Sequence, residues 1–332
     1  MSKAVRWRAG LLCGFVPALA RAEPILDDPA EHGAPFFVGT PAVARPLAPK
    51  NVVPHPFLSP QGSIHIDLYN SDVTDLVTPL GRDPVVTSMR YGDIGTCLNF
   101  VFDRQNRFYA FCGVPRDGKI AFELTWLDAH TLEKRSSFPL VELTIPEIIA
   151  LPLDLGYMVM DERGRFLAIT RENQVKWVGL GESDQLEARE THDFSAYVAP
   201  ARDKIASVVP DYQGRLFYMT LGKADEAGAA VTSALFGVFD PLSGAHEQRE
   251  LKGEIIENGL AVGEDGVFVL TDRALYGFTY SPTAPHLREL FREGYVRATR
   301  AKPGVISLGS GSTPTLLGDH LLVITDNRDE QV

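Results

Sequence analysis

The sequence predicts an all-β fold of repeated antiparallel sheets, and three observations predict it. A polar turn leading into a new apolar strand recurs at intervals of 50 to 58 residues. Glycine and proline make up 52 of the 332 residues, above the ~12% of average chains and suited to a fold with many turns. Helical periodicity is nearly absent: the best candidate, 146–155, is short and contains Pro152.

The recurring unit is clearest in Asp103-Arg104-Gln105-Asn106-Arg107, Asp161-Glu162-Arg163-Gly164-Arg165 and Asp211-Tyr212-Gln213-Gly214-Arg215. Weaker copies begin at Glu264-Asp265-Gly266 and Gly318-Asp319-His320. Aligned on Asn106, Gly164, Gly214, Gly266 and Asp319, the spacings are 58, 50, 52 and 53. A second feature is shared by Asp128-Ala129-His130-Thr131-Leu132 and Asp240-Pro241-Leu242-Ser243-Gly244, each ending an apolar strand. Units of about 40–50 residues holding four strands are the sequence sign of propeller blades. A single such sheet buries its faces only against its neighbours, which makes a ring the stable arrangement. The expectation is a β-propeller of four-stranded blades over 61–332, with at least five repeats visible. Strands at 61–80 either complete the last repeat, or the chain is truncated at Val332 and six or seven blades belong to the longer form.

Ahead of the repeats lie two other regions. Residues 1–22 combine Lys3, Arg6 and Arg8, an apolar stretch over 9–20 and Ala20-Arg21-Ala22 before Glu23, the layout of a signal peptide. Its 12 apolar residues fall short of the ~20 that span a bilayer. The expected location is periplasmic or secreted, with no membrane insertion once the leader is removed. Residues 23–60 contain nine prolines, which rules out a central strand and predicts an extended arm.

The formal charge is −11, and −15 without the leader, which carries four basic side chains and no acid. Such a surface repels phosphate backbones, so nucleic acid is excluded as a partner. A small molecule or a protein remains as the partner class, and the chain is expected to be a monomer.

Outside the leader only Cys97 and Cys112 occur. A hairpin with strands 96–102 and 107–112, in which Phe102 faces Arg107 across a four-residue loop, places the two cysteines opposite each other. Opposed residues lie within disulfide reach, and an oxidising compartment would close the bond. Two free thiols or half of a metal site are the alternatives.

Residues just ahead of each inner strand would line the central channel. These are Asp93 and Thr96, Asp154, Ser207, Asn258, and Ser312 with Thr313; oxygen donors of this kind suit a divalent cation such as Ca²⁺. They equally suit strand-end capping and channel water. His65 and Asp67 alternate onto one face of a predicted strand and could pair as base and orienting acid or as a surface ion pair. Asp326, Asn327, Asp329 and Glu330 form an acidic run that could hold Ca²⁺ or, since Thr325-Asp326 aligns with Thr271-Asp272 and Thr170-Arg171, form a strand-exit turn. The stretch 309–312 lacks the order of a nucleophile elbow and the lysine of a phosphate loop. No recurring tryptophan motif supports a quinoprotein of the alcohol-dehydrogenase type.

Two stretches resemble known families. Glu257-Asn258-Gly259-Leu260-Ala261-Val262 with Asp265-Gly266-Val267-Phe268-Val269-Leu270-Thr271-Asp272 resembles the SMP-30/gluconolactonase-like propellers. The resemblance implies metal-dependent lactone or ester hydrolysis and nominates Asn258 as a ligand of a divalent metal. Gly309-Ser310-Gly311-Ser312-Thr313-Pro314-Thr315-Leu316-Leu317-Gly318-Asp319 with Ile324-Thr325-Asp326-Asn327 resembles a family of exported bacterial propeller-like proteins without an established activity, in whose members the chain continues past this motif. The function expected from the whole sequence is binding of a small molecule or partner at the channel mouth. Metal-assisted hydrolysis and a purely structural, interaction-forming propeller are the alternatives.

Overall fold

The computed structural model describes residues 55–60, 62, 86–89, 95–150, 158–224, 230–256, 258–300, 308–317 and 321–329. The architecture is all-β, as expected, with several antiparallel sheets following one another along the chain. Sheet one is β1 (Thr96–Phe102), β2 (Phe108–Arg116), β3 (Lys119–Leu127) and β4 (Lys134–Leu143), hydrogen-bonded in that order. A short helix, α1 (Ile145–Ala150), the one helix among the described residues, follows. Its first turn is closed by a capping box: Thr144 N–H donates to the Glu147 carboxylate at 2.8 Å, and Glu147 N–H to Thr144 Oγ1 at 3.4 Å.

Sheet two comprises β5 (Phe166–Ile169), β6 (Gln174–Leu180) and β7 (Leu186–Asp193), with a bridge from Met160 to Phe166 on its inner edge. Sheet three starts with β8 (Ile205–Pro210) and β9 (Leu216–Thr220). A two-stranded excursion, β10 (Lys223–Ala224) and β11 (Ala230–Thr232), interrupts it before β12 (Ala234–Phe239) and β13 (His246–Leu251). Sheet four is β14 (Ala261–Gly263), β15 (Gly266–Leu270), β16 (Ala274–Tyr280) and β17 (Leu287–Gly294). A last pair, β18 (Thr315–Leu317) and β19 (Leu321–Val323), follows.

Burial within the middle sheets runs from first strand to last. Every residue of β8 and β9 is buried, as largely apolar strands covered on both faces are. Of the last strands, Leu186-Glu187-Ala188-Arg189-Glu190 in β7 is mostly exposed, and His246-Glu247-Gln248-Arg249-Glu250 in β13 is half-buried to exposed; both are rich in charged and polar side chains. One continuous core joins sheets two, three and four through residues such as Val175, Phe217, Phe236 and Phe278. A second core joins sheets one and two through Tyr109, Leu124, Met160 and Phe166.

The repeated turns share one chemistry. In each, an aspartate Oδ1 accepts two backbone N–H groups, from residues two and four positions on, and Oδ2 takes the arginine Nε. The pairs are Asp103–Arg107, Asp161–Arg165 and Asp211–Arg215, with the Nε bonds of the last two at 2.7 Å. The residue before each arginine sits at positive φ: Asn106 at 58°, Gly164 at 75° and Gly214 at 82°. This is why the sequence alternates Asn and Gly there, the residues that tolerate left-handed backbone. The outer turns repeat as well. Asp128 and Asp240 cap their own turns, and Leu132 at φ 62° stands where the other copy has Gly244 at 73°.

The disulfide forms, Cys97–Cys112, at an S–S distance of 2.08 Å. The register that predicted it needs correction. Phe102 pairs with Phe108, not Arg107, so the loop has five residues and the pairing is one step off from Phe100 to Phe102. A β-bulge between Leu98 and Phe100 restores the offset, with Asn99 at φ 52°, so Cys97 still meets Cys112. Closing a loop with a sequence separation of 15 is worth about 3 kcal/mol in the chain-entropy account. Reduction is therefore expected to lower the unfolding free energy by about 2–4 kcal/mol, read from urea unfolding with and without reductant. Alkylation of both cysteines in native, unreduced protein would be the contrary result.

Candidate functional site

Of the residues expected to line a channel, His65, Asp67, Asp93 and Asp154 lie outside the described residues. Thr96 begins β1 and is exposed. Ser207 is corrected in position: it is the third residue of β8 and is buried, opposite Met219 next to a bulge, and does not precede the strand. Its apolar neighbours on both sides carried the strand further back than the turn pattern implied.

Asn258, Ser312 and Thr313 do fall ahead of first strands, and the structure brings their segments together. Asn258 Nδ2 donates to the Ser310 carbonyl at 3.0 Å across 52 residues of sequence. The Ser310 hydroxyl accepts Ser312 N–H at 3.2 Å and lies 3.2 Å from Ser312 Oγ. Ser312 Oγ in turn accepts Thr325 N–H at 2.9 Å, and Gly309 C=O accepts Asn327 N–H at 2.9 Å. Ser310 and Thr313 are buried, while Asn258 and Ser312 are half-buried. The two stretches singled out separately in the sequence therefore form one polar cluster of amides, hydroxyls and peptide groups. Among the described residues Asn258 Oδ1 accepts no hydrogen bond.

Of the acidic run next to this cluster, Glu330 lies outside the described residues, and Asp326 and Asp329 accept backbone N–H groups. Asp326 Oδ1 accepts Arg328 N–H at 3.2 Å, and Asp329 accepts Thr299 N–H at 3.2 Å. Among the described residues no group of three or more His, Cys, Asp or Glu side chains is placed to hold a metal ion.

A buried ionic network positions the segment that leads to Asn258. Glu254 Oε1 accepts Tyr276 OH and Arg292 Nη2, both at 2.8 Å, and Oε2 accepts Thr271 Oγ1 at 2.5 Å. Arg292 Nε also donates to Tyr276 OH at 2.8 Å. Burial, helped by the Glu254 carboxylate, pushes the Tyr276 hydroxyl up to about 12, so it stays a neutral donor. Next along the chain, Ile255 N–H donates to Asp272 Oδ1 at 3.0 Å, and Asp272 N–H to the Ile255 carbonyl at 2.9 Å. Asp272 is held by Arg297 as well. Five residues from four segments, Thr271 and Asp272, Tyr276, Arg292 and Arg297, thus hold 254–256 in place.

Sequence reasoning missed a second cluster, formed by β9, β13 and the turn ahead of β8 in sheet three. Tyr218 OH lies 2.7 Å from His246 Nε2 and donates to Gln248 Oε1 at 2.8 Å, while the Tyr197 ring stacks on His246 at 3.6 Å. Because the hydroxyl has one hydrogen and spends it on Gln248, His246 Nε2 is the donor of the pair. Burial lowers the His246 ring to about 4, which keeps it neutral. No periodic signal marks this cluster, since Tyr197, Tyr218 and His246 lie 21 to 49 residues apart in sequence.

No described helix is long and apolar enough to cross a membrane. Neither protein-family models nor curated proteins give a match to this chain.

Proposed function

We propose that the chain is an exported β-propeller that binds a small molecule or a protein partner at the mouth of its ring, where Asn258 and the 309–313 loop meet. The ring reading is supported by the order of packing. β4 lies against β7, β5 against β8, β13 against β17 and β14 against β18, so each sheet meets the next one in the chain. In sheets two to four the fall in burial from first to last strand fits blades whose last strands face solvent. The leader pattern and the Cys97–Cys112 bond support export to an oxidising compartment.

The observation that carries the binding reading is the Asn258–Ser310 contact. It places an amide with an unused acceptor beside a run of hydroxyls, just ahead of the first strands of neighbouring sheets. Such groups recognise hydroxyl, amide or carbonyl functions rather than net charge. A thermal-shift screen of the purified protein against sugars, sugar lactones, short peptides and CaCl₂ tests this, run in parallel on Asn258→Ala. The expected result is a compound that raises the Tm of the parent protein by several degrees and leaves the variant unmoved. Equal shifts in both proteins, or none in either, would remove the binding site from this place. A shift with CaCl₂ accompanied by lactone hydrolysis would favour metal-assisted catalysis at the same residue.

A further inference from the structure

His55 belongs to a short segment laid across two of the repeated turns. Leu58 bridges Asp161, Ser59 N–H donates to the Met160 carbonyl at 2.9 Å, and Glu162 N–H donates to the Phe57 carbonyl at 3.3 Å. The Phe57 ring covers Gly214, where an added Cβ would come within 2.9 Å of it. Leu58 is buried in the core shared by sheets two to four. The segment therefore touches the turn 161–164 of sheet two and the turn 211–214 of sheet three.

His55 is 2% exposed, with its ring 4.3 Å from that of Tyr212. Its Nδ1 accepts Phe57 N–H at 3.1 Å, which requires the neutral ring with its hydrogen on Nε2. Among the described residues, that Nε2 is the one buried side-chain nitrogen or oxygen without a hydrogen bond of normal geometry; the Pro210 carbonyl acts on the ring from outside that geometry.

We propose that residues 55–60 form a proton-released strap over the turns 161–164 and 211–214, with His55 as its latch. Protonation places a hydrogen on Nδ1, directly against the Phe57 N–H, and leaves a cation in an aromatic pocket. The strap itself carries no carboxylate. The carboxylates of the turns packed against it are already engaged: Asp161 with Arg165, Glu162 with Arg163 and Asp211 with Arg215. Among the described residues no free counter-charge is placed to accept the imidazolium, so the charged ring is more stable once the strap has lifted into water.

The sign follows from linkage. Burial lowers the seated ring from 6.5 to about 4, and the Pro210 carbonyl offsets part of the effect. Seating is thus undiminished above pH 6.5 and weakens as the pH falls from there toward 4. Between pH 7.5 and pH 5 the unseating equilibrium should rise about thirtyfold.

Hydrogen exchange on the full chain reads this at Ser59 and Glu162, whose amides make the strap's backbone bonds. After correction for intrinsic rates, their protection should fall by about thirtyfold from pH 7.5 to pH 5, with β2 and β3 unchanged. In His55→Phe, which keeps a ring and cannot be protonated, the fall should vanish. An equal fall in both proteins, or none in the parent, overturns the proposal. Should His55→Phe not fold, the His55 ring titrated by NMR in the parent protein decides: a midpoint near 6.5 overturns the proposal, and one well below 5 supports it.

Discussion

Replacing Asn173 with alanine is expected to lower the unfolding free energy by about 3–5 kcal/mol, one of the two largest single-residue effects expected in this protein. Asn173 is fully buried at φ 58° in the turn between β5 and β6. Its Nδ2 donates to the carbonyls of Val198 at 2.7 Å and Asp203 at 3.1 Å, and its Oδ1 accepts Ile205 N–H at 3.0 Å. The one side chain thus ties the end of sheet two to the start of β8. Alanine would leave a buried N–H and two carbonyls short of partners, each costing about 1–3 kcal/mol, and would hold a Cβ in the left-handed region for about 1 kcal/mol more. The midpoint of urea unfolding should fall with little change in slope. Asn173→Gly separates the two contributions, because it removes the strain alone and should recover about 1 kcal/mol relative to alanine. A loss below 1 kcal/mol in Asn173→Ala would show that the side chain does not join the sheets.

Asp161→Ala should cost about 2–4 kcal/mol. Asp161 is 3% exposed; its carboxylate accepts the N–H groups of Arg163 and Arg165 and the Arg165 Nε. Truncation strips the turn of three acceptor contacts and leaves Arg165, itself largely covered, with only the longer Glu190 contact at 3.4 Å. A double-mutant cycle with Arg165→Leu should show coupling of about 1–3 kcal/mol, since the second change removes the stranded charge created by the first. Strict additivity in urea unfolding would mean that the ion pair contributes nothing and that the backbone bonds alone hold the turn.

The contrast between these two residues shows what was legible in sequence. Asp161 belongs to a motif five residues long whose bonds all close within that span, so its copies at Asp103 and Asp211 could be recognised by identity and spacing. Asn173 resembles any turn asparagine. Its partners lie 25 to 32 residues away, and only the packing of two sheets brings them within reach. The threonines that close the strand-exit turns fall between these cases. Thr170 and Thr271 accept local N–H groups and were aligned in the sequence. Thr220 has the same position, but its Oγ1 accepts Leu235 N–H across the inserted β10–β11 excursion, which hid the likeness.

By itself, the sequence determined the all-β class, the strands and the turns between them. It also placed Cys97 and Cys112 on adjacent strands of one hairpin, where they could pair, because apolar strands and aspartate-capped turns are encoded by neighbours in the chain. Tertiary structure alone decided the bulge at Asn99 that makes that pairing possible, the burial of Ser207 within β8, and the placing of Asn258 against Ser310. Each depends on how one sheet settles on another, where a contact between residues far apart in sequence forms only after both local elements have their final positions.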